Sequence, residues 1–274
     1  MLEGELAEAI RIARAASEIL MEVYATDFDV AYKSKSDPVT EADTRANAFI
    51  VEALHAAYPH DGIVAEESAD QSDALGTGRC WYVDPVDGTK EFVARNGEFA
   101  VMLGLAIDGE SRLGVVYQPV TDKMYSGVVG AGATLERRGE RRPIRVSDVS
   151  DPSRLRLVVS RSHRNKAVRK VVHALGITQE AHTGSVGLKV GLIAEQAADL
   201  YVHISDKSSA WDACGPEAIL RAAGGRFTDL AGDPYHYGGT DMRNRGGILA
   251  CNEAAYDAVL PVARAAARSR GLID

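Results

Sequence analysis

The chain has 274 residues, of which 46% are hydrophobic and 26% are charged, and its formal net charge is −8. This length allows one large domain, or two closely packed ones, with a sizeable core. The acidic balance argues against a broad nucleic-acid surface, and no apolar run is long enough to span a membrane.

The first half of the chain predicts helices and strands in a mixed order. Apolar residues at helical spacing predict helices over about 6–24 and 42–58. Thr40 and Asp43 have the spacing of a capping box at the start of the second helix. Apolar and alternating runs predict strands over 62–66, 80–84, 98–108, 112–118 and 123–129, followed by an exposed hairpin formed by 137–142 and 144–147.

Strands and helices alternate from about Asp151 onwards. We expect strands over 155–160, 198–204 and 247–251 and helices over 165–175, 186–196, 212–223 and 253–270. The fold class is therefore α/β, with an α+β N-terminal half and an α/β C-terminal half. We place a domain boundary near residue 150, which gives an α+β domain over 1–150 and an α/β domain over 151–274.

The cysteines and the N-terminus bear on the cellular compartment. Cys80, Cys214 and Cys251 are widely spaced and odd in number, which argues against a disulfide framework or a structural zinc site. We interpret all three as small buried residues. The N-terminus is acidic and lacks the features of a secretory signal, so we expect a cytoplasmic protein, either a monomer or a homodimer.

The segment Asp84–Thr89, with the sequence DPVDGT, is the most informative part of the chain. Its two carboxylates follow a predicted buried strand, and oxygen ligands at such a strand end suit Mg²⁺. The backbone N–H groups of Gly88 and Thr89, at a predicted helix start, suit a phosphate. Metal and phosphate together indicate phosphoryl chemistry. Asp-Pro and Asp-Gly also form ordinary turns, so the segment alone does not decide.

Four further acidic residues stand near predicted strand ends or helix starts: Asp43, Glu66, Glu67 and Asp212. Each also has an ordinary structural interpretation, because the two aspartates could cap helices and the two glutamates could simply be exposed to solvent. Two Mg²⁺ ions about 3.5–4 Å apart need several carboxylates, so the metal hypothesis requires these acids to converge. Bound cations would also allow an acidic protein to accept an anionic phosphate.

Three motifs, Glu66–Ser68, Asp84–Thr89 and Trp211–Asp212, resemble in this order those of the inositol-monophosphatase-like superfamily of Mg²⁺-dependent, lithium-sensitive phosphatases. Asp37–Asp43 matches the segment that precedes them, and the resemblance covers most of the chain. One departure is Ala65, where the family often has glycine before the two glutamates. The resemblance implies a layered αβαβα sugar-phosphatase-like fold.

Finer features resemble the 3′(2′),5′-bisphosphate nucleotidase branch. They are Lys90–Phe92, Ser160–His163 and Trp211–Glu217. This branch implies removal of the 3′-phosphate from 3′-phosphoadenosine 5′-phosphate, a step linked to sulfur assimilation. An inositol or sugar monophosphatase with the same machinery is the nearest alternative, and a catalytically idle nucleotide-binding regulator is a third. The substrate is in each case a small phosphorylated molecule, not a nucleic-acid polymer.

The resemblance also implies roles for individual residues. The implied ligands of two or three Mg²⁺ ions are Glu66, Asp84, the Val86 carbonyl, Asp87 and Asp212. Asp84 would bridge two ions. Thr89 and Asp43 would form a catalytic dyad that takes a proton from the attacking water.

Two pairs of polar residues in the second half are candidates for substrate binding. Ser185 and Lys189 lie at a predicted helix start. Either Ser185 is an ordinary helix cap and Lys189 a solvated lysine, or the two residues bind the second phosphate of the substrate. Arg161 and His163 lie at a predicted strand end and have the same two interpretations. We assign all four to the substrate.

Overall fold

The computed structural model of the chain describes residues 2–34, 37–68, 76, 78–162 and 166–274. The helices are α1 Glu3–Tyr24, α2 Glu41–Ala57, α3 Thr89–Val93, α4 Lys166–Leu175, α5 Val186–Ala194, α6 Ala210–Ala222 and α7 Glu253–Arg268. The strands are β1 Val30–Ser34, β2 Asp37–Thr40, β3 Gly62–Ala65, β4 Arg79–Asp87, β5 Ala100–Ile107, β6 Glu110–Gln118, β7 Lys123–Val128, β8 Gly132–Arg137, β9 Glu140–Ile144, β10 Arg156–Ser160, β11 Gln179–Thr183, β12 Leu200–His203, β13 Gly225–Thr228 and β14 Ile248–Asn252.

The strands form two large sheets and one small hairpin. The larger sheet has the order β3-β4-β5-β6-β7-β8-β9, in which only the β3–β4 pair is parallel. The smaller sheet has the order β11-β10-β12-β14-β13 and mixes parallel and antiparallel pairs. β1 and β2 pair with each other just before α2.

Helices and sheets alternate in five layers, which confirms the layered αβαβα fold. α1 and α2 pack on one face of the larger sheet around a core that includes Trp81 and Leu103. α5 and α6 lie between the two sheets, where Met102 of β5 and Phe227 of β13 belong to the same core. α4 and α7 pack on the outer face of the smaller sheet. The middle helix layer therefore joins the two sheets through apolar contacts.

Close backbone contacts fix α6 against the larger sheet. A Cβ atom at Gly114 would lie 2.0 Å from the carbonyl oxygen of Gly215, and one at Gly104 would lie 2.4 Å from the Gly215 nitrogen. The Ser111 hydroxyl donates a hydrogen bond of 2.6 Å to the Cys214 carbonyl at the same contact. No side chain fits between helix and sheet here, so the sheet determines the position of α6.

Most predicted elements are present, and several differ in detail. The exposed hairpin is formed by β8 and β9, so the predicted segments 137–142 and 144–147 were placed too late in the chain. The predicted strand over 80–84 continues to Asp87. β1, β2, β11 and β13 were not predicted.

The predicted boundary near residue 150 falls between the two large sheets. The larger sheet ends at Ile144 and the smaller one begins at Arg156, on either side of the predicted boundary near 150, while the division into two domains stays a prediction. The three cysteines are free and buried, as predicted. Within the described residues, no helix is both long enough and apolar enough to cross a membrane.

Candidate active site

Three carboxylates converge between the larger sheet and α6. Asp84 and Asp87 at the end of β4 and Asp212 in α6 each offer an oxygen within 4.8 Å of the others. Burial raises the pKa of Asp84 and of Asp212 well above the usual range, and repulsion from neighbouring carboxylates adds to the shift. Acids this close and this buried repel each other when charged, and a divalent cation is the partner that relieves the repulsion. The donor set therefore fits a metal ion.

A β-bulge in β4 places the two aspartates together. Asp84 pairs with Met102 and Asp87 pairs with Ala100, so β4 has one more residue than β5 between these pairs. The extra residue brings side chains three positions apart to the same face of the sheet. It also allows Pro85, which lacks the N–H that a regular ladder needs. Asp84 Oδ1 accepts a hydrogen bond of 2.9 Å from the backbone of the bulge.

Asp212 reaches the cluster as the third residue of α6. One of its oxygens, Oδ2, accepts a hydrogen bond of 2.6 Å from the backbone N–H of Ser209, which forms a capping box. The carboxylate is thereby held in one orientation, with its second oxygen available to the cluster. The predicted alternative of a helix cap is therefore present for Asp212, while its role as a metal ligand stays a prediction.

Asp43 and Thr89 are in direct contact. Thr89 Oγ1 donates to Asp43 Oδ1 at 3.1 Å and also lies 3.2 Å from the Val86 carbonyl oxygen. The other oxygen of Asp43 accepts from the N–H and the hydroxyl of Thr40 at 2.8 and 2.7 Å, in the predicted capping box of α2. Burial raises the pKa of Asp43, although its hydrogen bonds oppose the shift. The pairing has the geometry that a proton relay needs.

Glu66 lies beside the cluster, outside the group of three. It follows β3, whose parallel pairing with β4 brings it close enough to hydrogen-bond with Asp84. Its Oε1 accepts a hydrogen bond of 2.9 Å from Lys33 Nζ, and the same ammonium bonds to Glu67. No role is predicted for Lys33 from the sequence, because its position on a short, exposed strand offers no signal of this contact.

The two hydrogen-bonding groups predicted for phosphate lie at the start of α3. Gly88 has a φ of +103°, a left-handed conformation that favours glycine, and a Cβ atom there would lie 3.0 Å from the Glu98 carbonyl oxygen. The first residue of α3 is Thr89, so the predicted helix start is present. A phosphate role for these two residues stays a prediction.

Ser185 contacts the cluster from the α5 side. Its hydroxyl donates to Asp87 Oδ2 at 2.5 Å, and the Gly187 N–H donates to the same oxygen at 2.8 Å. The Ser185 Oγ also accepts from the Leu188 N–H at 3.0 Å and so caps α5. Ser185 is therefore a cap and a partner of Asp87 at once.

Lys189 differs from one of its two sequence-based interpretations. Its side chain is 3% exposed, so the solvated lysine is wrong. Its ammonium donates to the Ser185 and Gly184 carbonyl oxygens at 2.6 and 3.3 Å, and its contact with a second phosphate stays a prediction. Burial between two sheets is the physical reason that it is not solvated. A signal was present in the sequence, because VGLKVGLIA is apolar on all sides of a helix, as in a buried one.

Arg161 follows β10 at the exposed edge of the site. It makes two hydrogen bonds to Glu98, of 2.6 and 2.5 Å, and a third of 2.9 Å to the His182 carbonyl oxygen. The Gly184 N–H also donates to Glu98, at 2.9 Å. Glu98 was not predicted, because nothing in the sequence separates it from a solvated glutamate. His163 lies outside the described residues.

The amino-acid sequence is similar to those of known proteins. The sequence profile of the inositol monophosphatase family matches residues 2–268. The chain is 37% identical to the 3′(2′),5′-bisphosphate nucleotidase CysQ of Escherichia coli (strain K12) over 235 residues, which are 85% of this chain and 93% of the relative.

Solved structures show the same fold. A Thermotoga maritima IMPase superposes with a TM-score of 0.82 at 25% identity and covers 97% of this chain and 99% of its own. The crystal structure of CysQ from Bacteroides thetaiotaomicron, described as a bacterial member of the inositol monophosphatase family, gives a TM-score of 0.75 at 26% identity over 92% of this chain and 98% of its own.

Proposed function

Because the chain belongs to the inositol monophosphatase family, we propose that it hydrolyses the 3′-phosphate of 3′-phosphoadenosine 5′-phosphate. The likeness to bisphosphate nucleotidases at 37% identity supports this choice of substrate. The observation that carries the reaction type is the Asp43–Thr89 pair beside three converging carboxylates. We also propose that the enzyme works in the cytoplasm on small phosphorylated molecules.

The acidic cluster supports a divalent cation, and we propose Mg²⁺. The residues that would hold two or three such ions are Asp84, Asp87, Asp212, Glu66 and the carbonyl of Val86. When bound, the metal supplies positive charge at the phosphate and makes a nearby water easier to deprotonate. Each of these groups offers oxygen, the ligand atom that Mg²⁺ prefers.

Thr89 and Asp43 would move the proton of the attacking water. A threonine hydroxyl is a poor base alone, but it accepts a proton at Oγ1 if it can pass its own to another group. Asp43 Oδ1, 3.1 Å away, is that group. The raised pKa of Asp43 favours this step, because its carboxylate binds a proton more readily than an exposed aspartate does.

Substrate binding would divide between two sides of the cluster. The N–H groups of Gly88 and Thr89 would bind the reacting phosphate. Arg161, whose guanidinium lies at the exposed edge of the site, would bind the second phosphate. Ser185 and Lys189 at the start of α5 would contribute to the same substrate site. We also keep His163 as a candidate on the sequence argument.

Phosphate release from a small panel tests the proposal. Wild-type protein is incubated with 3′-phosphoadenosine 5′-phosphate, inositol 1-phosphate and a sugar phosphate, each with Mg²⁺ and with a chelator. We expect Mg²⁺-dependent release with the highest kcat/KM for the bisphosphorylated nucleotide. Preference for inositol 1-phosphate would identify an inositol monophosphatase, and binding of the nucleotide without release would identify a regulator.

A further inference from the structure

Glu98 lies between the two parts of the site that would bind phosphate groups. A Cβ atom at Gly88 would lie 3.0 Å from the carbonyl oxygen of Glu98, and one at Gly184 would lie 2.5 Å from the same oxygen. Gly88 immediately precedes α3, and Gly184 belongs to the turn between β11 and α5. Both turns therefore pack against one backbone atom, and neither contact leaves room for a side chain.

The side chain of Glu98 makes three hydrogen bonds across the same gap. Its Oε2 accepts one of 2.6 Å from Arg161 Nε and one of 2.9 Å from the Gly184 N–H, and its Oε1 accepts one of 2.5 Å from Arg161 Nη2. The two bonds to Arg161 form the bidentate arrangement that fixes the plane of a guanidinium. Glu98 thus contacts one turn through its backbone and Arg161 through its side chain.

This pairing leaves one nitrogen of Arg161 for a ligand. Nε and Nη2 bind Glu98, and Nη2 also donates to the His182 carbonyl oxygen at 2.9 Å. A guanidinium has five N–H donors in a rigid plane, so fixing these three determines the direction of the two on Nη1. Nη1 makes no hydrogen bond to any residue that the structure describes. The side chain is 48% exposed, so a ligand can reach it.

We propose that Glu98 is a positioning residue that determines specificity for substrates with a second phosphate. It holds Arg161 so that Nη1 is directed at that phosphate, and its backbone, through Gly88, sets the spacing from the reacting phosphate. The inference rests on the proposed function, because it takes Arg161 as a ligand of the second phosphate. Ser185 and Lys189 would bind the same substrate from the α5 side.

Charge and position predict opposite effects for the loss of the Glu98 carboxylate. If the carboxylate only repels the substrate and competes for Arg161, its neutralisation would tighten the binding of a phosphate. If it orients Arg161, neutralisation releases the guanidinium, and binding weakens. Glu98→Gln keeps the shape of the side chain and an acceptor for the Gly184 N–H, while its amide N–H groups face a guanidinium that cannot accept them.

The first experiment measures the binding of adenosine 5′-phosphate and of adenosine to metal-free protein by calorimetry, without any assay of activity. The preference for the phosphorylated ligand isolates the second-phosphate contact, since general damage to the site would weaken both ligands. We expect Glu98→Gln to lower this preference about fivefold, part of the effect of losing a hydrogen bond to a charged group. An unchanged or larger preference overturns the inference.

Glu8→Gln is the matched control for this measurement. Glu8 also binds an arginine, Arg11, through two hydrogen bonds to Nε and Nη2, and both residues lie on α1. We expect the preference of Glu8→Gln for adenosine 5′-phosphate to equal that of wild type. A loss in Glu8→Gln as large as that in Glu98→Gln would show a general effect of charge and overturn the inference.

A double-mutant cycle tests the route through Arg161. In an Arg161→Gln background the guanidinium that Glu98 would orient is absent. We therefore expect Glu98→Gln to change the preference there by at most about twofold, because two changes that remove the same contact are not additive. A full fivefold loss in both backgrounds would show that Glu98 acts by another route and overturn the inference.

Arg161→Lys provides a test that does not depend on the folding of Glu98→Gln. A lysine keeps the positive charge, but its ammonium lacks the planar fork that can bind a carboxylate on one side and a phosphate on the other. We expect it to lose the preference for adenosine 5′-phosphate almost as fully as Arg161→Gln does. A wild-type preference in Arg161→Lys would show that charge alone is enough and overturn the inference.

Steady-state kinetics separate this inference from the proposed function. If wild type prefers 3′-phosphoadenosine 5′-phosphate to inositol 1-phosphate, Glu98→Gln is expected to raise the KM for the nucleotide about fivefold. An unchanged KM then overturns the inference and leaves the proposed function intact. A wild type that prefers inositol 1-phosphate, and binds adenosine 5′-phosphate no more tightly than adenosine, overturns both.

Discussion

The hydroxyl of Thr89 lies 3.1 Å from Asp43 Oδ1, although 46 positions separate the two residues in the chain. Asp43 uses its other oxygen to bind the N–H and hydroxyl of Thr40. The carboxylate therefore has one structural oxygen and one that faces the site. This division determines which substitutions separate the two roles.

Thr89→Ala and Asp43→Asn are expected to slow the chemical step by about 10²–10⁴, the usual contribution of general acid–base assistance. Asparagine can keep its oxygen towards the Thr40 N–H and cap α2, while its amide cannot accept the Thr89 proton. The double mutant is expected to be little slower than either single mutant, since the pair acts as a unit. Single-turnover rates at saturating Mg²⁺ measure this, and multiplicative losses would contradict a coupled pair.

Asp84→Asn is expected to abolish tight metal binding and to slow turnover by about 10³-fold or more. Metal-free Asp84→Asn should nevertheless melt at a higher temperature than metal-free wild type, because a charge is removed from a cluster whose members repel each other. Melting with and without Mg²⁺ shows both effects. Wild-type turnover in this variant would refute the metal mechanism.

Arg161→Gln is expected to lower kcat/KM for 3′-phosphoadenosine 5′-phosphate about tenfold, the effect of losing a hydrogen bond to a charged group. Inositol 1-phosphate lacks the second phosphate, so its hydrolysis should change little. Arg226→Gln serves as the control, since Arg226 also pairs with a glutamate, Glu253. Equal losses on both substrates would remove Arg161 from the second-phosphate role.

Glu217 is expected to make stability depend on pH. It is buried in α6, where it accepts hydrogen bonds from Tyr237 at 2.6 Å and Arg221 at 3.1 Å, and burial raises its pKa to about 7. A carboxyl group with a raised folded-state pKa contributes stability below its unfolded pKa and loses it as pH rises through the folded value. The loss amounts to on the order of 3 kcal/mol.

The measurement is chemical denaturation of metal-free protein between about pH 4.5 and 7.5, a window set by the unfolded and folded pKa values of Glu217. Glu217→Gln keeps a polar group beside Tyr237 and cannot ionise. Its stability should therefore decline less over this range than that of wild type. Parallel curves for the two proteins would show that Glu217 does not contribute to the pH dependence.

Gly114→Ala is expected to disturb the metal site by displacing the helix that carries Asp212. The added Cβ would overlap the Gly215 carbonyl oxygen and displace α6, which carries Asp212. Overpacking of this kind costs about 1–3 kcal/mol. Gly4→Ala is the control, because Gly4 lies in a helix with no atom within 4 Å of the added carbon. We expect a lower melting temperature and weaker Mn²⁺ binding for Gly114→Ala alone.

Apolar patterning was enough to predict most of the helices and strands, because the core elements bury regular sets of hydrophobic residues, while the layered arrangement was implied by the family resemblance. Two of the strands it missed, β1 and β11, lack such a pattern. β1 has four exposed residues of five and β11 has four exposed and one half-buried, so neither shows a buried face. Their pairing comes from neighbouring strands, which a local sequence pattern does not contain.

The converging acids were predictable, because each stands at a strand end or a helix start. The residues that hydrogen-bond to these acids and orient them were less predictable. Lys189 and Ser185 are close in sequence and looked like an ordinary helix start, while the contact of Ser185 with Asp87 spans 98 positions. Glu98 and Lys33 offered no pattern at all. Long-range hydrogen bonds of this kind depend on how the two sheets come together.

The capping boxes at Asp43 and Asp212 affect how relatives of this protein should be classified. Both aspartates hold a helix start, so natural selection for folding alone would preserve them after catalysis was lost. Their presence in a homologue is therefore weak evidence that it is an active enzyme. Thr89 caps no helix, and Glu66 follows a strand end. A descendant that has become a pure binding protein should lose these two first.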